Sequence, residues 1–180
     1  TEQNWKLLLA RAQNEPKFSR AGHLDLYRTL IEAGVKLTPQ EKGAAVREAL
    51  NARGLPNEAL KLLEPAVASG EMATQEDKDN LDKAKSRIAG DKAGLAKEAA
   101  EATAKGDTSY LAKLGEAYLS YGDYPKAIET LQAALTTGIA DPDEAAFARL
   151  HLGIAQYRAG QADAARTTWA EVKSDNGATV

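Results

Sequence analysis

The chain has no cysteine in 180 residues. Disulfide scaffolds and thiolate metal sites are therefore excluded, and the composition fits either cytoplasm or an oxidising space that avoids stray thiols. Aromatic residues make up only 6%, and no sign of charge dominates: 26 acidic against 23 basic residues leave a net charge of −3. That balance gives no global attraction to nucleic acid or to an anionic membrane surface, so no nucleic-acid partner is expected. No apolar run approaches the roughly 20 residues that would span a bilayer, which excludes insertion as a single apolar helix. The only methionine is Met72 and the chain starts at Thr1, so a removed leader or a shortened chain is expected. Proline and β-branched residues are sparse, and no stretch alternates with period two, which leaves little from which to build a sheet.

What is present is helix-forming sequence cut at intervals by glycine. Glycines 34, 54, 70, 90, 106, 122, 138 and 160 each close such a stretch, as expected of residues just past helix ends. Apolar residues recur at three and four spacings, so the chain reads as all-α. Helix starts are equally well marked. Thr38-Pro39-Gln40-Glu41 is a capping box with proline at the first helical position, and Asp141-Pro142-Asp143-Glu144 repeats the logic with an aspartate. Thr74, Asp107 and Asp123 are further N-cap candidates. The spacing predicts helices over 2–12, 20–33, 39–53, 56–69, 75–89, 91–105, 108–121, 124–137, 142–159 and 162–173.

Self-comparison shows a repeat. Aligning 108–135 with 146–173 pairs Leu114 with Leu152, Gly115 with Gly153, Ala117 with Ala155, Gly122 with Gly160, Ala127 with Ala165 and Leu131 with Trp169. Aligning 40–67 with 108–135 pairs Ala49 with Ala117, Leu50 with Tyr118, Gly54 with Gly122, Ala59 with Ala127, Leu63 with Leu131 and Ala66 with Ala134. The second offset is twice 34, so a degenerate unit is expected over 74–107, with Leu81, Ala84, Ala93 and Ala100 at its packing positions.

In Leu111, Leu114, Gly115, Tyr118, Gly122, Tyr124, Ala127, Leu131 and Ala134 the chain resembles the tetratricopeptide repeat family, as a bacterial repeat protein would. The departures are Ile139 for the family's terminal proline, Gln156 for tyrosine, Val172 for alanine and Arg47 for the small residue of the first helix. The resemblance implies a right-handed α-α superhelix, a solenoid of antiparallel helix pairs. Its units are expected at about 40–73, 74–107 (degenerate), 108–141 and 146–173, within an array over 38–180 that follows an N-terminal helical pair over 1–37. Each helix pair leaves an apolar face that only its neighbour covers. The 74–107 unit has few large apolar groups and is expected to open most readily. Trp169 near the end is expected to be covered within its own unit, by a lost terminal helix or by self-association. Small cysteine-free helical repeat proteins of bacterial type are often exported, so the expected compartment is periplasmic or secreted, with cytoplasm as the alternative.

Candidate chemistry is thin. His23 and His151 are the only histidines, and no metalloprotease helix, phosphate loop, nucleophile elbow or zinc pattern occurs. Glu76-Asp77-Lys78-Asp79 has calcium-like letters but lacks the loop glycine and the terminal glutamate, so it reads as a solvated helix start. No enzyme activity, metal or cofactor is expected. Tyr110, Tyr118, Tyr121 and Tyr124 resemble an aromatic platform, but Tyr118 and Tyr124 occupy the family's packing positions. Phe147, Leu150, Ile154 and Tyr157 form a stripe on one helix face, with His151 and Arg158 beside it. In the family the first helices line the concave groove, which places this stripe in it and puts Ala112, Glu116, Leu119 and Ser120 on the neighbouring floor. The lysine–asparagine set by which chaperone-binding members clamp a terminal carboxylate is absent. The implied function is a non-catalytic scaffold that holds a protein or peptide partner through Phe147, Leu150, His151, Ile154, Tyr157 and Arg158, with Glu116 and Ser120 on the floor. The alternative is self-assembly, including a homodimer through the C-terminal end.

Overall fold

The computed structural model describes residues 2–14 and 22–172. Among them the chain is helical throughout, without a strand. The helices are α1 (Glu2–Asn14), α2 (Gly22–Glu32), α3 (Pro39–Arg47), a π-helical turn (Glu48–Ala52), α4 (Pro56–Ala68), α5 (Gln75–Lys105), α6 (Thr108–Tyr121), α7 (Tyr124–Thr137), α8 (Pro142–Arg158) and α9 (Ala162–Ala170). The expected start of the second helix at 20, and the expected end of the last helix at 173, lie outside the described residues.

The starts follow from side-chain chemistry. Thr38 and Glu41 cap each other's backbone reciprocally, and Thr74 does the same with Asp77 (3.0 and 3.2 Å) at the head of α5. The aspartates Asp107, Asp123 and Asp141 accept from the first-turn amides of α6, α7 and α8. The ends follow from glycine. At Gly122 (φ 77°) the Asp123 amide reaches back to the Tyr118 carbonyl at 3.0 Å, and at Gly160 (φ 80°) the Gln161 amide reaches the Gln156 carbonyl at 2.9 Å. Each bond satisfies a carbonyl that the helix leaves open.

Two expectations are corrected. No helix break occurs at Gly90, which does not adopt positive φ; residues 75–105 form one continuous helix. Carrying the repeat of 108–141 back by 34 residues shows why. Lys97 falls where Leu131 should be, Leu81 where Gly115 should be, and Asp77 and Asn80 where Leu111 and Leu114 should be. A hairpin would bury a lysine and place leucine at the helix crossing, so the segment stays extended as a helix. The second correction concerns the helix expected over 39–53. It leaves α geometry after Arg47 and makes a π turn, with the Arg53 amide bonded to the Glu48 carbonyl five residues back at 2.9 Å. Arg47 is thereby turned outward, its side chain 55% exposed, while Ala45, Val46, Ala49 and Leu50 are buried.

The chain divides into two compact units, Thr1–Ala89 and Gly90–Val180. In the first, Tyr27, Leu30, Val35, Leu37 and Ala45 form one buried cluster, with Trp5, Leu26, Ala44 and Leu62 against it. Residues of 1–37 and of the first repeat thus share a core. Arg28 ties α2 to α4 through two bonds to Glu58 (2.6 and 2.5 Å) and holds Asp25 at 2.6 Å. The second unit contains two antiparallel hairpins, α6–α7 and α8–α9, with α7 packed on α8. Leu131, Ala148 and Leu152 are buried at that junction, and Ile139 packs against them.

Candidate partner-binding face

Both hairpins of the second unit close on a glycine. A methyl group added at Gly115 would lie 2.5 Å from the Leu131 side chain and 3.3 Å from the Leu131 backbone nitrogen. At Gly153 it would lie 2.1 Å from the Trp169 indole. The two glycines thus perform one task, admitting the large residue of the returning helix at closest approach. Trp169 is half-buried on its own hairpin, and its indole donates to the Leu150 carbonyl at 3.2 Å. Gln156 is 5% exposed and accepts from the Thr168 hydroxyl at 2.7 Å, so a hydrogen bond spans this hairpin where the preceding one has the Tyr118 ring.

This construction positions the stripe on α8. Phe147, Leu150 and Ile154 are half-buried, Tyr157 is 58% exposed, and Arg158 is exposed in the last turn. Tyr157 stands 6.0 Å from the Trp169 ring, tilted by 40°. Phe147 and His151 are 6.4 Å apart between ring centres. An exposed tyrosine beside a tryptophan offers wide, stiff contact area with a polar tip, the composition typical of binding surfaces.

Three residues expected to face the partner, Glu116 and Ser120 on the floor and His151 beside the stripe, are instead closed in. Glu116, Ser120 and His151 are 4%, 7% and 2% exposed. Glu116 on α6 and His151 on α8 are brought together, Oε1 to Nε2 at 3.7 Å, too long for a hydrogen bond but close for a polar pair. The Ser120 hydroxyl donates to the Ala117 carbonyl of its own helix at 2.7 Å.

The reading of the sequence missed a pair of tethers between α5 and α6. Tyr121 donates to Asp91 at 2.6 Å, with the Lys92 ammonium 5.9 Å from its ring centre, and Tyr110 donates to Glu98. The signal was available as two acids on α5 opposite two tyrosines that the repeat pattern does not use. The bond to Glu98 pushes the Tyr110 phenol up to about 12, aided by partial burial and the nearby Asp91 and Asp107. Burial first, then the bond to Asp91, raises Tyr121 as well, and burial raises Tyr118.

Comparison with family models, with curated proteins and with solved structures returns no match.

Proposed function

We propose that the chain is a non-catalytic scaffold, a tetratricopeptide-like solenoid that holds a protein or peptide segment on the face formed by its first-position helices. The single observation that carries this reading is the α8 stripe, in which Tyr157 is 58% exposed at the end of a row of half-buried apolar side chains. Contact is made by Phe147, Leu150, Ile154 and Tyr157, with the exposed Arg158 selecting charge. Glu116, Ser120 and His151, being buried, shape the helices beneath the face rather than touching the partner. The repeated glycine crossings at Gly115 and Gly153 support the solenoid part of the reading, because they give two hairpins the same internal geometry. Periplasmic or secreted placement is part of the proposal; no helix among the described residues is long and apolar enough to cross a membrane.

Replacing Tyr157 by alanine is expected to weaken partner binding while thermal unfolding is unchanged, since the ring is mostly in solvent. A Tyr157→Ala chain that no longer folds places the ring in the core and removes the face. The alternative, self-assembly, is favoured by one observation, the Tyr157–Trp169 pair on the last hairpin. Mass measured over a range of concentrations separates the two, because a scaffold of this kind has no need to dimerise.

A further inference from the structure

We infer that the segment held on the α6–α8 face is an acidic peptide segment, with apolar side chains on the stripe and aspartate or glutamate at its Tyr157 end. This rests on the scaffold reading and adds the chemistry of the partner to it. The observation is the charge of the face. The chain as a whole has a net charge of −3, yet no acidic residue occurs from Ala145 to Ala162, where the basic residues are Arg149, His151 and Arg158. The acids that border this stretch are engaged elsewhere. Glu144 accepts from the Ser109 hydroxyl, and Asp163 pairs with Arg166 at 2.6 Å. Asp143 stands in the first turn of α8, roughly 21 Å along the helix from Tyr157. α6, packed beside α8 in the same unit, has one acid, Glu116, which is 4% exposed and faces His151. Its one basic residue, Lys113, is exposed, as is Arg158 on α8. Beyond the first turn of α8, the two helices therefore show cations to solvent and no anion.

A carboxylate brought to the Tyr157 end meets Arg158 and no repelling acid on either helix, whereas a lysine or arginine brought there meets like charge. Edge charges of this kind choose among partners more than they add affinity, which comes from apolar contact with Leu150, Ile154 and Tyr157. The Arg158 guanidinium has five donors, enough to take a carboxylate while keeping a contact within the chain. Two exposed cations beside an apolar row give a phosphate backbone no continuous track, which favours a peptide over a nucleic-acid strand.

The test is selection of a phage-displayed library of random dodecapeptides on the full chain, in parallel with Tyr157→Ala and Arg158→Glu. Thermal unfolding of each variant is compared with the parent, and Arg158→Gln, which adds no acid at the helix end, replaces Arg158→Glu if the latter unfolds. Peptides enriched by the parent and lost on Tyr157→Ala are expected to carry more aspartate and glutamate than the unselected library. They are expected to bind Arg158→Glu roughly fivefold more weakly, the scale of one exposed charge pair turned to repulsion. Tyr157-dependent peptides without an acidic excess, or an excess that the Arg158 variant leaves intact, overturn the inference and leave the scaffold reading standing. A selection that yields no Tyr157-dependent peptide removes both. Mass that rises with concentration and falls back on Tyr157→Ala puts a second copy on the face, and a single-stranded oligonucleotide that displaces the peptides puts nucleic acid there; either overturns the inference.

Discussion

Gly115 and Gly90 are expected to answer the same chemical change in opposite directions. At Gly90 an added methyl meets open space, so Gly90→Ala gains only helix propensity, about 0.5–1 kcal/mol of stability. At Gly115 the methyl would press to 2.5 Å on Leu131, which is fully buried and has no room to retreat. Overpacking costs roughly 1–3 kcal/mol there, partly offset by about 1 kcal/mol of propensity, so Gly115→Ala is expected to be destabilising by roughly 1–2 kcal/mol net. Denaturant titration of the two variants checks this. Equal stabilisation of both would show that the α6–α7 crossing is looser than the structure has it. Gly115 and its partner were legible from self-comparison, because Gly–Leu recurs as Gly153–Trp169. Gln156 was legible only as a departure. That it restores the hairpin by bonding Thr168 depends on a partner twelve residues away, which no local pattern announces.

At the scale of elements, α5 and its tethers to α6 carry a pH signature. The neutral Tyr110 phenol donates to Glu98, whereas a phenolate would face that carboxylate with like charge. Its value is raised from about 10 in an unfolded chain to about 12 in the fold. The tether's contribution is therefore complete below about pH 10 and is lost as pH rises through the folded value. The ultraviolet difference between the parent chain and Tyr110→Phe is expected to show the missing phenol titrating near 12; titration near 10 would mean that the bond to Glu98 is not held in solution. Caps and glycine stops made α6 to α9 readable in advance, since those signals are local. The course of α5 and the π turn were not readable in the same way. Gly90 carries the same letter as a helix stop, and only the lysine at 97 and leucine at 81, taken against the repeat, argue for an unbroken helix. The π turn arises because Arg47 does not fit the crossing that glycine occupies in the later unit, a tertiary conflict resolved within the helix.

At the scale of the whole chain, two compact units and one long helix follow from where the repeat pattern is strong and where it fails. The repeat is rich in small and apolar residues over 108–170, thinner over 40–66, and nearly lost over 75–105. The candidate face was partly legible. The three-four-three spacing located the stripe, but spacing assigns a side of a helix and not its depth, so Glu116 and Ser120 were read as open floor and His151 as the stripe's edge although all three are buried. The central claim is that the Tyr157 end of α8 contacts a partner. A photoreactive phenylalanine analogue placed at Tyr157 in the source cell tests it most directly. The account predicts one recurrent crosslinked product containing a second, different protein, which is lost when Ile154→Ala is added. Crosslinks only between copies of this chain, or none above those at an exposed control position such as Gln132, would contradict it.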